Sequence, residues 1–157
     1  MDVAASFWAL AVDLAGERIS HIWQGYGSAV FIEFGNLTPR AKWDGSPDHP
    51  EGRFSLGVEW SWRIEDDGGI LCGSWSEDDL WEPSLARLLH ARVASLALFG
   101  RLPEVELATS EGLRFVTFST TDGQPRWHII DRRCDPARWF TVRGGQLHLG
   151  HGSEPSD

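Results

Sequence analysis

Residues 54–65 read Phe-Ser-Leu-Gly-Val-Glu-Trp-Ser-Trp-Arg-Ile-Glu. Every even position is apolar, and every odd one is Ser, Gly, Glu or Arg. Successive strand side chains point to opposite faces, so this alternation predicts one long half-buried strand. Asp66-Asp67-Gly68-Gly69 follows as a tight-turn sequence, and residues 70–75 return as the partner strand.

The rest of the chain is punctuated in the same way. Residues 18–23 and 29–34 predict strands, separated by a connection with two glycines and closed by Gly35-Asn36. Residues 93–99, 105–108, 113–119, 127–131, 139–142 and 146–149 predict six more, with Gly144-Gly145 as a two-residue hairpin turn. The apolar stretch 7–14 predicts a strand or a short helix packed on the core. One main helix is expected near residues 79–91, where Trp81, Leu85, Leu88 and Leu89 recur at helical spacing. Glu77, Asp78, Asp79 and Glu82 stand at its start, where the helix dipole favours acids. Pro83 fits only a first turn. Residues 37–53 hold three prolines and no apolar periodicity, which predicts a long loop. Trp43 inside it either anchors a ligand or pins the loop to the core.

Two halves of the chain follow one plan. Arg18-Ile19, Val30–Gly35 and Trp62-Arg63-Ile64 in the first answer to Arg92-Val93, Val105-Glu106-Leu107 and Trp127-His128-Ile129 in the second. The greater length of the first half falls in the 37–53 loop. The expected class is α+β and mainly antiparallel β. It would be a twisted sheet or partly open barrel with one main helix, built from two duplicated strand-rich halves. Residues 1–149 are expected to form one globular domain, and 150–157 a loose tail.

Composition narrows the function classes. The chain has 157 residues, 41% of them hydrophobic, and no window approaches the roughly 20 apolar residues of a membrane span. Asp2 replaces the basic start of a secretory signal and Asp13 interrupts the apolar stretch. The two cysteines, Cys72 and Cys134, form no disulfide framework, which points to the cytoplasm. Net charge is −9, from 14 Lys+Arg against 23 Asp+Glu. That charge repels nucleic acid and anionic membranes and attracts a basic protein. Self-association is left open.

No catalytic pattern emerges. His148 and His151 make one i, i+3 pair, and Asp44, Asp48 and His49 share the loop, but neither group supplies the three or four ligands of a zinc site. Cys134 follows Arg132 and Arg133, which favour a reactive thiolate, yet no base is placed by spacing. The region 126–143, with Trp127, Arg132, Arg133, Arg138, Trp139 and Phe140, mixes arginines with Asp131 and Asp135 and serves equally well as polar strand faces. Neither a metal nor a cofactor is expected. The leading expectation is a non-catalytic interaction protein binding a basic partner through Asp66, Asp67, Trp75, Glu77, Asp78, Asp79, Trp81 and Glu82. The 66–67 turn and the 77–79 segment should lie at opposite ends of the hairpin. A second expectation is a ligand pocket lined by Trp43, Trp60 and Trp62. The third is an enzyme of unrecognised type.

The run Gly27-Ser28-Ala29-Val30-Phe31-Ile32-Glu33-Phe34-Gly35, with Trp62-Arg63-Ile64 and Gly73-Ser74 after it, resembles small bacterial domains of unknown function. Some similar acidic proteins act as immunity factors for secreted toxins. The resemblance covers the first half of the chain and implies a non-catalytic partner-binding role. It carries over no catalytic residue.

Overall fold

A computed structural model describes residues 2–152. Helix α1 (Val3–Leu14) begins where the Asp2 carboxylate accepts the Ala5 amide at 2.8 Å, satisfying a donor that has no partner within the helix. Its stripe Phe7, Leu10, Ala11 and Leu14 is buried. The apolar stretch near the N-terminus is therefore the helix of the two alternatives, and the described residues hold it in addition to the expected helix near 79–91. Strands β1 (Ile19–Gln24), β2 (Val30–Phe34), β3 (Thr38–Ala41), β4 (Pro47–Glu51), β5 (Phe54–Val58), β6 (Trp62–Asp66) and β7 (Gly69–Gly73) follow. After a 3-10 turn at Asp78–Leu80 come α2 (Trp81–Leu88), β8 (Val93–Phe99), β9 (Glu104–Thr109), β10 (Arg114–Thr117), β11 (Trp127–Asp131), β12 (Arg138–Arg143) and β13 (Gln146–His151).

Two antiparallel sheets carry the molecule. One runs β1-β2-β5-β11-β12-β13 and the other β7-β6-β10-β9-β8; neither closes into a barrel. Phe34, Phe54, Leu56, Ile129 and Phe140 of the first belong to one buried cluster with Ile64, Leu107 and Phe115 of the second. Helix α1 packs on β8 and β13, and α2 on β7.

The long strand expected at 54–65 is two strands in different sheets. β5 pairs with β2 and β11, whereas β6 pairs with β7 and β10. The break falls at Glu59-Trp60-Ser61. Alternation survives the break because both strands aim their even-numbered side chains at the same core. The hairpin from Trp62 to Gly73 is as expected, with the Asp66 carboxylate accepting the amides of Gly68 and Gly69. Gly144 and Gly145, at φ 60° and 76°, form the turn between β12 and β13. Residues 37–53 are not a loop. β3 and β4 form a two-stranded ribbon whose tip is the Asp44 turn, and it accommodates Pro39, Pro47 and Pro50 because both strands are edges. Of the tail expected over 150–157, residues 150 and 151 belong to β13; residues 153–157 lie outside the described residues.

The two halves exchange strands. After α1, strands β1, β2 and β5 build one sheet, then the chain crosses to add β6 and β7 to the other. After α2, strands β8, β9 and β10 complete that second sheet, then β11, β12 and β13 cross back. Each crossing strand opens on a buried tryptophan. The Trp62 indole N–H donates to the Ser28 carbonyl at 2.7 Å, and that of Trp127 to the Pro103 carbonyl at 3.0 Å. Ser28 and Pro103 both lie just before the second strand of a half. An antiparallel bridge between Arg18 and Arg92 joins the halves at the starts of β1 and β8.

Candidate functional site

The strand exchange brings four sequence-distant segments to one end of the five-stranded sheet. Thr117 at the end of β10 pairs with Trp62 at the start of β6, and Gly73 at the end of β7 pairs with Arg63. Backbone bonds extend this beyond the strands: Phe118 donates to Ser61 at 3.1 Å and Ser74 to Trp62 at 2.9 Å. The Ser28 hydroxyl donates to the Trp60 carbonyl at 2.8 Å. Trp60, Trp75 and Phe118 therefore stand around this end, 43%, 81% and 53% exposed, and Tyr26 beside Ser28 is fully exposed. Four large aromatic side chains are thus exposed around this end.

Acids continue the same surface. Glu77, Asp78 and Asp79 follow Trp75 after Ser76 and Glu82 sits in the first turn of α2; all four are exposed. None of them has an ion pair among the described residues. By contrast, Glu17, Glu51, Glu65, Glu106, Asp13 and Asp131 each meet an arginine within 3.2 Å. The Glu59 carboxylate, on the β5–β6 link, reaches Arg126 only at 3.6 Å and is half-exposed. Exposed aromatic and unpaired acidic residues thus adjoin at this end through the segment from Trp75 to Asp79.

Beneath it lies a rigid support. Trp81 is buried, meets Trp62 edge to face, and donates its indole N–H to the Ser76 carbonyl at 3.2 Å. Trp62 stacks in turn on Phe115 with ring centroids 5.6 Å apart. Trp81, expected as a contact residue, is a positioning residue that holds the acidic turn against the sheet. Trp62 is core, so it lines no cavity. Trp60 lies apart from it on the link, and Trp43 is fully exposed in the β3–β4 ribbon, so the three tryptophans share no pocket. Asp66 and Asp67 lie at the other end of β7, a strand about 16 Å long at ~3.3 Å per residue, and belong to a separate surface. Tyr26 and Phe118 carry no signal in the local sequence.

A second concavity of about 1050 Å³ lies on the outer face of the six-stranded sheet. Trp23, Phe31, Gly57 and His128 stand in register across four strands there, and His21, Glu33, Ser55, Ile130, Trp139 and Gly150 in the neighbouring row across six. Trp23 stacks on Phe31 at 4.0 Å and on His49 of the ribbon at 4.4 Å. Glu33 is buried and accepts the Ser55 hydroxyl. Burial pushes its carboxyl above the ordinary range, against the opposing pull of Ser55 and Arg132. Arg132 also reaches Glu51 at 3.2 Å, and Glu51 meets Arg40 at 2.9 Å, so the ions of this face form a chain that ties the ribbon down.

His21 and His49 share a hydrogen bond of 3.0 Å, and burial followed by His49 lowers the His21 pKa. Cys134 is partly buried, and both neighbouring arginines are engaged by carboxylates. Among the described residues no cluster of three or more His, Cys, Asp or Glu side chains is placed to hold a metal. No helix there is long and apolar enough to cross a membrane. Comparison with family models, curated proteins and solved structures finds no match.

Proposed function

We propose that this chain is a non-catalytic interaction protein that docks a basic protein partner on the aromatic and acidic end of its five-stranded sheet. One observation carries the reading: exposed Trp60, Trp75 and Phe118 share that end with Glu77, Asp78 and Asp79, whose charges nothing in the described protein neutralises. Tryptophan is the side chain most enriched among energetic anchors of interfaces, and a rim of one charge sign steers an oppositely charged partner toward it. The net charge of −9 adds long-range attraction for a basic partner. An inhibitor of the immunity type, covering the basic active surface of a toxin, is the form that fits these features. Two thiols without a disulfide suit a reducing cytoplasm.

The test uses a basic probe peptide rich in arginine and leucine, titrated by calorimetry at two salt concentrations. Asp78→Asn with Asp79→Asn should weaken binding at least about tenfold and lower the melting temperature by no more than the few degrees that two helix-start charges contribute. Asp66→Asn with Asp67→Asn should have little effect. Equal losses from both pairs would contradict the reading.

The outer-face cleft supports a second reading, a small-ligand binder. The favouring observation is that the Trp23 indole N–H and the Thr141 hydroxyl, both in the cleft lining, are buried without hydrogen-bond partners.

A further inference from the structure

Where the two halves meet, the protein places like charges side by side. Arg18 and Arg92 are directly opposite in an antiparallel bridge. Ile19 donates to Ala91 at 2.8 Å and Val93 to Glu17 at 2.9 Å on either side of it, so the two arginines form the non-hydrogen-bonded kind of pair. Their Cα atoms are then about 4.5 Å apart and their side chains rise from one face. Like charges in that position destabilise a sheet. Arg40, Arg53, Arg63, Arg114, Arg126, Arg132, Arg133 and Arg138 each have a carboxylate within salt-bridge range. Arg18 has none among the described residues, and the Arg92 guanidinium donates only to the Gly16 carbonyl, at 3.0 Å. Arg87, Arg101 and Arg143 also lack a carboxylate among the described residues, but none of these three stands opposite another arginine in a strand pairing.

The pair lines a depression of about 500 Å³ together with Ser20, Asn36, Arg53 and His90. Arg53 is held by Glu17 at 2.8 Å, so three guanidiniums face one carboxylate there. His90 adds an independent mark. It follows α2 as Gly16 follows α1, and the two make matching bonds: Gly16 to the Val93 carbonyl and His90 to the Ile19 carbonyl, both at 2.8 Å. Gly16 has φ 87° and His90 φ 73°. The first half thus uses glycine at this left-handed position, as backbone sterics favour. The second keeps a side chain there at a conformational cost, and that side chain lines the depression.

We propose that this depression binds a phosphate-class oxyanion, gripped between the Arg18 and Arg92 guanidiniums. Two planar donor forks match the oxygens of one phosphate, and the anion removes the repulsion that the bridge creates. Arg53 adds charge at the rim, and His90 and Asn36 add hydrogen-bonding groups, whereas the Ser20 hydroxyl is held by the Gly35 carbonyl at 2.6 Å. The site is distinct from the aromatic and acidic end and does not depend on that reading.

The experiment measures thermal unfolding and calorimetric binding with inorganic phosphate, against chloride at equal ionic strength. Phosphate should raise the melting temperature of the wild type, and Arg18→Gln and Arg92→Gln should each weaken binding about tenfold or more. Without phosphate, Arg18→Gln, which breaks no hydrogen bond of its guanidinium, should melt at or above the wild-type temperature, because one of two repelling charges is gone. Arg18→Lys, which keeps the charge and loses the fork, should bind with intermediate strength. A phosphoserine peptide binding more tightly than inorganic phosphate would assign the anion to a larger molecule, and equal binding to free phosphate; either supports the site. No shift beyond the chloride control, or equal shifts in wild type and both glutamine variants, would overturn it.

Discussion

The Trp81 indole meets that of Trp62 edge to face, with ring centroids 5.1 Å apart and planes at 77°. One opens α2 and the other opens the strand that crosses between sheets, so this contact locks the acidic turn to the sheet end. Such a pair adds about 0.5–1.5 kcal/mol beyond the area it buries. Trp81→Ala should cost about 3–5 kcal/mol in urea unfolding, as for a large aromatic removed from a core. Trp75→Ala, six positions earlier and mostly solvent-exposed, should change stability by less than about 0.5 kcal/mol. Similar costs for both would place Trp75 in the core and remove it from the proposed surface.

Two buried carboxylates should give stability opposite dependences on pH. Glu33 has its pKa raised by burial, so the folded state binds more protons than the unfolded one between the ordinary carboxylate value of about 4.3 and the raised value. Its contribution to stability therefore falls as pH rises through that window. Glu33→Gln should gain on the wild type as the pH goes from about 4 to 7. For Asp131, burial alone would raise the pKa, but hydrogen bonds from Arg133 and Arg138 together outweigh it and hold the carboxyl below its usual range. Its stabilisation is present above about 3.9 and lost as the pH falls through the lowered value. Asp131→Asn should cost about 2–4 kcal/mol at pH 7 and less in acid. Denaturant titrations at several pH values check both signs.

The β3–β4 ribbon should loosen on acidification. The hydrogen bond between His21 and His49 needs one ring nitrogen as acceptor, so it is lost when both rings carry two protons. His21, with its pKa lowered by burial and by His49, disfavours the second proton in the folded state. Stability from this contact is therefore lost as the pH falls from the ordinary histidine value of about 6.5 through the lowered one. Amide exchange at His49 and Glu51 should accelerate between pH 7 and 5 relative to β5, after correction for intrinsic rates. His21→Gln should flatten that difference.

Two glycines should differ in what they tolerate. A Cβ on Gly52 would overlap the backbone of Phe34, whereas one on Gly57 would overlap only the His128 ring, which lies across it. A ring can turn aside and a sheet backbone cannot. Gly57→Ala should cost about 1–3 kcal/mol, as overpacking does, and Gly52→Ala more. Thermal unfolding of the two variants gives the order directly.

The strands were legible where a turn marked both ends, as at Asp66–Gly69 and Gly144-Gly145. The matching of Trp62 with Trp127, made from short sequence runs, recurs in the folded chain as the two crossing strands. Alternation at 54–65 concealed a change of sheet, because period two reports which side of a strand faces the core and not which sheet the strand joins. Prolines at 39, 47 and 50 hid the ribbon, since they exclude a central strand but not an isolated pair of edges. At the candidate site, Trp75 and the acids at 77–79 lie within five consecutive residues and were readable. Tyr26 and Phe118 join them only through pairing of β6 with β10 and the Ser28–Trp60 bond, contacts between positions far apart in the chain.

The central claim is that the aromatic and acidic end is where a partner docks. It is tested most directly by heteronuclear NMR during titration with the basic arginine- and leucine-rich peptide. The indole N–H signals of Trp60 and Trp75 and the amides of residues 76–80 and Phe118 should shift first and together, while those of Asp66–Gly69 stay in place. Shifts centred on the 66–69 turn or on the outer-face cleft, with Trp60 and Trp75 unmoved, would contradict it.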